Sequence, residues 1–176
     1  LVDLTAFLLE ERNDAPELGA PAQLFNGRDL TGWTHHLRDP DADPAATWSV
    51  DDGVLSCVGQ PIGYLRTTDD YENFVLTLEW RFPPGSPPGN SGVLLRMTGE
   101  DKVWPRSLEA QLHHRNAGDI WNIGKFPLLV SEQRTEGRRT IKLRPSNEHA
   151  LGQWNHYEIT LDGGDLKLVV NGELQN

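Results

Sequence analysis

The sequence predicts an all-β sandwich, a single domain of short antiparallel strands. Short apolar segments are separated by turn sequences that contain Gly, Pro, Asn and Asp, and one long segment alternates between apolar and polar residues. Beyond the N-terminus, no helical periodicity persists over the length of a typical helix. The length of 176 residues fits one domain with a core of its own.

Residues 1–21 are predicted to be an N-terminal extension that is separate from the sandwich. The spacing of five apolar residues predicts one short amphipathic helix: Leu1, Leu4, Phe7, Leu8 and Leu9. Residues 13–21 are rich in Pro, Gly and Ala, and this composition predicts a linker. The sandwich domain is therefore placed at residues 22–176.

The first strands are predicted in the first half of the chain. Residues 48–58 predict a hairpin, because the turn at residues 51–53 ends in a glycine that accepts positive φ. Residues 74–82 alternate and predict a strand with one buried face. Residues 83–89 are rich in proline, which lacks the N–H group that a strand uses, and they predict a loop. Cys57 belongs to the apolar pattern of the hairpin and is expected in the core.

Further strands are predicted in the second half of the chain. Residues 91–97 and 107–113 are short segments of strand-forming composition. Residues 154–161 and 166–170 flank the turn sequence Asp-Gly-Gly-Asp, and together they predict a closing hairpin. These segments supply enough strands for two packed sheets.

The chain carries 16 basic and 26 acidic residues, which gives a net charge of −10. The excess of acidic residues lies in residues 1–90, and this negative charge argues against nucleic acid as a partner. No apolar run reaches the roughly 18–20 residues that cross a bilayer, so no membrane span is predicted. One basic cluster is expected to be a solvated strand edge: Arg134, Arg138, Arg139, Lys142 and Arg144.

The predicted strand at residues 107–113 separates polar from apolar side chains. Alternation places three apolar residues on the face that suits the core: Leu108, Ala110 and Leu112. The opposite face carries four polar residues: Ser107, Glu109, Gln111 and His113. Acidic, amide and imidazole groups in one row suit a polar cleft, and a solvent-exposed strand face is the alternative.

Aromatic and charged residues lie on both sides of this strand. Asp119 and Trp121 are predicted in a loop near its end, and Trp104 and Arg106 flank its start. Flat aromatic rings stack on sugar rings, while carboxylates and amides bind sugar hydroxyls, so the segment predicts a carbohydrate site. A carboxylate beside an imidazole also offers a general acid and base.

A series of short motifs follows along the chain in one order. They are residues 24–33 (LFNGRDLTGW), 48–57 (WSVDDGVLSC), 63–67 (GYLRT), 90–93 (NSGV), 106–111 (RSLEAQ), 118–121 (GDIW) and 152–158 (GQWNHYE). In this ordered succession, residues 22–176 resemble the 3-keto-disaccharide hydrolase family.

The resemblance implies a concanavalin-like jelly roll, in which two curved antiparallel sheets form a cleft on the concave face. It also implies action on glycosides whose C3 hydroxyl has been oxidised to a ketone, so an oligosaccharide or glycoside is the expected partner. Family members are commonly exported or periplasmic in bacteria, and we expect this localisation here. Family chains usually continue with a Gly-rich stretch and a last strand pair, so these strands are expected to be missing or removed after Asn176.

The leading functional hypothesis is cleavage of a 3-keto-glycoside. The ketone acidifies the C2 proton, so a base can remove it and expel the leaving group at C1 before water adds. Glu109 or His113 is the candidate base. Arg96, expected beside Glu109 on the preceding strand, or a bound metal would stabilise the enolate oxygen. Asp119 would protonate the leaving group or bind a metal. The candidate substrate-binding residues are Arg96, Gln111, Trp104, Trp121 and Arg106.

Other functions are compatible with the same residues. A non-catalytic carbohydrate-binding module would use Trp104 and Trp121 for stacking. A retaining glycosidase needs a second acid about 5 Å from Glu109. Such sandwiches tend to carry this acid at the position of Gln111, so the glutamine counts against this alternative. An interaction domain with an incidental cleft is the last alternative.

No motif specifies a cofactor. The single cysteine excludes an internal disulfide, and no Cys or His pair has zinc-finger spacing. A divalent metal, either calcium or a transition metal, is left open. One loop contains alternating aspartates that lack the Gly and terminal Glu of an EF-hand and are expected to be solvated: Asp39, Asp41 and Asp43.

Overall fold

The structure is a computed structural model that describes residues 2–10 and 17–176, with side chains described from residue 19 onwards. Within these ranges the strands are β1 (Val2–Glu10), β2 (Glu17–Gln23), β3 (Trp33–Leu37), β4 (Trp48–Asp51), β5 (Val54–Cys57), β6 (Gly63–Thr67), β7 (Phe74–Trp80), β8 (Gly92–Thr98), β9 (Arg106–Gln111), β10 (Ile120–Ile123), β11 (Thr135–Glu136), β12 (Arg139–Thr140), β13 (Asn155–Asp162), β14 (Asp165–Val170) and β15 (Glu173–Leu174). Short 3-10 helices occupy Pro44–Ala46 and Glu132–Arg134. None of the helices described is long and apolar enough to span a membrane.

The strands form two large sheets and one small one. The larger sheet has the order β15-β14-β13-β7-β1-β5-β4, with β2 paired to β1. The second sheet has the order β11-β12-β10-β9-β8, and β3 pairs with β6 in a separate ribbon. Every pairing described is antiparallel, so the all-β sandwich predicted from the sequence is confirmed.

The core lies between the two large sheets. Buried residues of the larger sheet include Leu78 and Ile159, and those of the five-stranded sheet include Leu108 and Ala110. These side chains belong to one apolar cluster, since each strand turns one face inward. The other face of β8, β9 and β10 is therefore left to form a site.

Several predicted elements are confirmed. Trp48–Asp51 and Val54–Cys57 form the predicted hairpin, in which Asp52 and Gly53 both have positive φ (48° and 73°). Strand β7 buries its alternate residues, as the apolar pattern predicts. The expectation that Cys57 is buried is wrong, because β5 ends at this residue and its side chain is exposed.

The prediction of a short N-terminal helix is wrong. Val2–Glu10 forms β1, which pairs with β7 over seven residues. Pairing satisfies the backbone groups along the edge of β7, which a helix would leave open, and this tertiary gain overrides the helical spacing. The predicted boundary between residues 21 and 22 falls within β2, while Leu1 and residues 11–16 of the predicted extension lie outside the described residues.

Candidate functional site

One face of the five-stranded sheet brings together several of the predicted site residues. Glu109 on β9 pairs with Leu94 on β8 and with Trp121 on β10. Trp121 pairs in turn with Arg139 on β12. Directly paired residues of antiparallel strands project to the same side, so these four side chains form a row across the sheet. We call the side that carries Leu94, Glu109, Trp121 and Arg139 the polar face.

The sequence predicts a loop for both Asp119 and Trp121, and for Trp121 this prediction is wrong. Trp121 lies within β10, and Asp119 comes directly before this strand. The Gln111 N–H donates to the Asp119 carbonyl (3.0 Å), and the Gly118 N–H donates to the Gln111 carbonyl (3.2 Å). The chain therefore reverses within residues 112–118, which brings Asp119 opposite Gln111 and Trp121 opposite Glu109.

Glu109 is a buried carboxylate without a fixed partner in the described part of the chain. Only 8% of the residue is exposed, and its carboxylate forms no hydrogen bond or ion pair with the part of the chain that the structure describes. Burial raises the pKa of Glu109 to about 7, and the positive charge of Arg138 opposes this rise. A carboxyl group with these properties is poised to exchange a proton near neutral pH.

Arg138 supplies the positive charge that acts on this carboxylate. Its guanidinium carbon lies 5.0 Å from the centre of the Trp121 ring, which is the geometry of a cation–π contact. Arg138 is nevertheless exposed, in keeping with the solvated strand edge expected for the basic cluster. That expectation is wrong for Arg139, whose guanidinium pairs with the fully buried Asp119. The sequence gives no sign of the cation–π contact, because it depends on the pairing of β10 with β12.

The structure does not bring Arg96 to Glu109. The backbone of Arg96 has a φ of 54°, and the pairing of β8 with β9 is irregular between Leu95 and Thr98. This bulge re-aims the side chain, since one extra residue in a strand breaks its alternation. Arg96 instead donates to the Gly163 carbonyl in the turn between β13 and β14 (2.7 Å).

Asp119 is fully buried, and both of its carboxylate oxygens have partners. Oδ2 accepts a hydrogen bond from Nε of Arg139 (2.8 Å) and lies 2.6 Å from Nη2 in an ion pair. Oδ1 accepts from the backbone N–H of Lys142 (2.9 Å), whose ammonium group lies 3.8 Å away. Asp119 thus ties β12 and the segment after it to the start of β10.

His113 lies at the edge of this arrangement and is half-buried. Its Nδ1 is 3.0 Å from Nδ2 of Asn116, and Oδ1 of Asn116 accepts from Nη2 of Arg139 at 3.2 Å. Oε1 of Gln111 accepts from the backbone N–H of His113 (2.8 Å), so Gln111 caps the end of β9. Asn116 and Arg139 were not predicted as site residues, and only the turn composition around Asn116 indicated a chain reversal there.

Trp104 and Arg106 lie at the opposite end of β9. Trp104 is 48% exposed in the loop before the strand. The guanidinium carbon of Arg106 lies 5.2 Å from the centre of the Phe126 ring. The structure therefore separates these two residues from His113 by the length of the strand.

No metal-binding group is formed by the residues that the structure describes. No three His, Cys, Asp or Glu side chains converge among them. The oxygens of Asp119, a candidate ligand, are already bonded to Arg139 and Lys142. In the acidic loop, carboxylate oxygens of Asp39 and Asp43 accept hydrogen bonds from nearby backbone N–H groups.

Comparisons with known proteins agree with this fold. Two crystal structures from Parabacteroides distasonis ATCC 8503, both provisionally named as glycosyl hydrolases, are similar to the chain. One has a TM-score of 0.57 and 25% sequence identity, covering 88% of this chain and 70% of the other. The second has a TM-score of 0.59 and 23% identity, covering 87% and 68%.

The sequence comparison identifies a family as well as a fold. A search of curated proteins finds no match. Residues 20–176 match the family described as 3-keto-alpha-glucoside-1,2-lyase-like domain, in agreement with the resemblance seen in the motifs. The chain therefore belongs to the 3-keto-alpha-glucoside-1,2-lyase-like domain family.

Proposed function

We propose that the protein cleaves 3-keto-glycosides by elimination across C1 and C2, with Glu109 as the base. The observation that carries this proposal is a buried carboxylate without a hydrogen-bond or ion-pair partner among the described residues, whose pKa is raised to about 7. Removal of a C2 proton that a C3 ketone has acidified requires a base of this strength at neutral pH. The description of the family, which names a 1,2-lyase and a 3-keto-alpha-glucoside, supports this substrate class.

The proposed reaction begins with transfer of the C2 proton to Glu109. The electron pair of the broken C2–H bond forms an enolate on the C3 oxygen, and Arg138 stabilises this negative charge. Expulsion of the leaving oxygen breaks the C1–O bond and creates a C1=C2 double bond. Water then gives a proton to the leaving oxygen and its hydroxyl to C1, while Glu109 returns its proton to C2. The products are a 3-keto sugar and the free alcohol or sugar.

The remaining predicted residues take supporting roles in this proposal. Asp119 is assigned to positioning, because both of its oxygens are committed to Arg139 and Lys142. Trp121 and Gln111 lie near Glu109 and contact the sugar that reacts. Trp104 and Arg106 contact a more distant part of the glycoside. Export from the cytoplasm, which the family resemblance implies, is part of the same proposal.

The test compares 3-keto-trehalose or a 3-keto-glucoside with its unoxidised parent sugar, with and without EDTA. We expect release of the leaving sugar from the keto compound alone, and Glu109→Gln should lower this rate by about 10²-fold or more, the usual contribution of a general base. Glu79→Gln, which changes an exposed strand glutamate in the larger sheet, should leave the rate unchanged. Equal cleavage of the parent sugar would contradict the elimination and indicate an ordinary glycosidase.

A carbohydrate-binding module without catalysis is the second candidate. It is favoured by the exposed indole of Trp104, since an aromatic ring on a surface stacks on sugars. In this case the keto compound would bind without turnover. Trp104→Ala would then abolish binding, whereas Glu109→Gln would leave binding nearly intact.

A further inference from the structure

The hydrogen bonds around Asn116 determine which nitrogen of His113 carries a proton. Oδ1 of Asn116 is 3.2 Å from Nη2 of Arg139, and a guanidinium group can only donate. The amide oxygen must therefore face Arg139, which turns Nδ2 of Asn116 towards His113. Nδ2 also only donates, so Nδ1 of His113 must accept the bond of 3.0 Å.

The acceptor role of Nδ1 determines the tautomer of the His113 ring. A neutral imidazole that accepts a hydrogen bond at Nδ1 carries its proton on Nε2. A proton on Nδ1 would place two N–H groups against each other at 3.0 Å. The arrangement around Asn116 therefore favours the Nε2–H tautomer of the neutral ring over the Nδ1–H tautomer.

Arg139 is held in place from the other side. Its Nε donates to Oδ2 of Asp119, which is fully buried, and its Nη2 forms an ion pair with the same oxygen. Asp119 is in turn fixed by the backbone N–H of Lys142, which donates to Oδ1 at 2.9 Å. The guanidinium group cannot rotate away without depriving Oδ2 of this buried carboxylate of its partner, a costly change. The orientation of the Asn116 amide is thus set by a buried ion pair.

We propose that Asp119, Arg139 and Asn116 are positioning residues that hold His113 as the Nε2–H tautomer, so that His113 donates a hydrogen bond to a substrate oxygen. This inference rests on the proposed function and deepens it. The sequence leaves Glu109 and His113 as alternative bases. A ring that accepts at Nδ1 and carries a proton on Nε2 has no free nitrogen with which to act as the base. His113 instead assists Glu109 by stabilising an oxyanion.

The tautomer can be measured without any substrate. Two-dimensional long-range ¹H–¹⁵N spectra of the protein labelled in its histidines, recorded at pH 8, distinguish a protonated from an unprotonated ring nitrogen. We expect His113 to show a protonated Nε2, with the signal assigned from its loss in His113→Gln. His149 is an internal reference for the opposite tautomer, with the proton on Nδ1. Its Nδ1 lies 2.7 Å from the Trp154 carbonyl oxygen, which can only accept a hydrogen bond.

The decisive variant is Asn116→Asp. Its carboxylate accepts from both neighbours, so it keeps the contact with Arg139 and should convert His113 to the Nδ1–H tautomer. The spectrum of His149 should not change. Gln60→Glu, which makes the same amide-to-acid change at an exposed position, should alter neither ring. A wild-type His113 with a protonated Nδ1, or an unchanged tautomer in Asn116→Asp, would overturn the proposal.

Activity then tests the donor role. His113→Ala should lower kcat for the keto compound by about 10²-fold, as loss of one oxyanion donor does, and change KM little. His113→Gln keeps an N–H donor and should retain more activity than His113→Ala. Equal kcat values for wild type and His113→Ala would overturn the donor role. Absence of turnover in the wild type contradicts the proposed function, but the spectra still decide the positioning network.

Discussion

In the proposed mechanism, Glu109 and Arg138 are the two residues on which the chemistry depends most directly. They influence each other through space, since the charge of Arg138 opposes the rise in pKa that burial imposes on Glu109. Arg138 is held by the face of Trp121 and not by a carboxylate, so its positive charge is not neutralised by an ion pair among the described residues. An unneutralised cation can act on the substrate as well as on the base.

Arg138→Ala should move the pH dependence of the reaction. Without the opposing charge, the pKa of Glu109 rises above about 7, so kcat/KM should reach half of its maximum at a higher pH. Loss of the oxyanion partner should also reduce the maximum itself by about 10²-fold. Arg138→Lys keeps the charge and should show a smaller change in both quantities. Kinetics between pH 5.5 and 9 measure the effect.

The control for this variant is Arg28→Ala, which removes an exposed arginine from an early loop. Its pH profile should superimpose on that of the wild type. An identical midpoint for Arg138→Ala and Arg28→Ala would show that Arg138 does not act on the base.

Single residues of the site differ in how far the sequence predicts them. Alternation along one strand places Glu109 and Gln111 on the same face, and this local rule needs no other part of the chain. Arg138 and Asn116 reach the site only through the pairing of β12 with β10 and the turn after β9, which depend on contacts distant in sequence. For Arg96 the alternation rule gives the wrong face, because a bulge in β8 interrupts the alternation of side chains at this residue.

At the level of elements, the close packing of β8 on β9 places the carboxylate of Glu109. A Cβ atom built on Gly92 would lie 2.2 Å from Oε1 and 2.6 Å from Cγ of Glu109. The glutamate side chain therefore occupies the space above Gly92 that any other residue would fill. The absence of a side chain at this position of β8 is what allows Glu109 to be buried.

Gly92→Ala should displace the carboxylate while leaving the fold intact. The atoms that a methyl group meets belong to a flexible side chain, which can move at low cost. A displacement of about 1 Å in a reacting group can cost about 10²-fold in rate, so we expect kcat/KM to fall by about 10- to 10²-fold. The melting temperature should change by only a few degrees. Both are measured on the same preparation.

Gly164→Ala is the matched control, because no atom lies within 4 Å of a Cβ built at this position in the turn after β13. It should change neither the rate nor the melting temperature appreciably. Wild-type kcat/KM in Gly92→Ala would contradict the role of Gly92 in seating Glu109.

Elements whose own residues specify their structure are predicted correctly from the sequence. The N-terminal segment lacks such residues, and its structure is predicted wrongly. The hairpin of β4 and β5 follows from its turn residues, since positive φ at Asp52 and Gly53 determines the reversal. Strand β1 has no such signal. It is a strand because β7 offers it a row of unpaired backbone groups, and that edge is separated from it by more than 60 residues.

At the level of the whole molecule, the stability of the sandwich should depend on the protonation of Glu109. The pKa of this residue is about 7 in the folded chain, against the ordinary glutamate value of 4.5. The folded state therefore binds more protons than the unfolded state between these two values, so the free energy of unfolding falls as the pH rises through this range. The site thus lowers the stability of the fold that carries it.

Glu109→Gln should remove this loss of stability at higher pH, because glutamine stays neutral at every pH. By linkage, the stability of the variant relative to wild type should increase by about 2 kcal/mol between pH 5.5 and pH 8, as measured by urea denaturation. Other groups titrate equally in both proteins and cancel in the difference. Glu79→Gln, on an exposed face of β7, should show no such dependence on pH. A constant difference for Glu109→Gln would mean that Glu109 ionises normally in the folded chain and is no base poised near neutral pH.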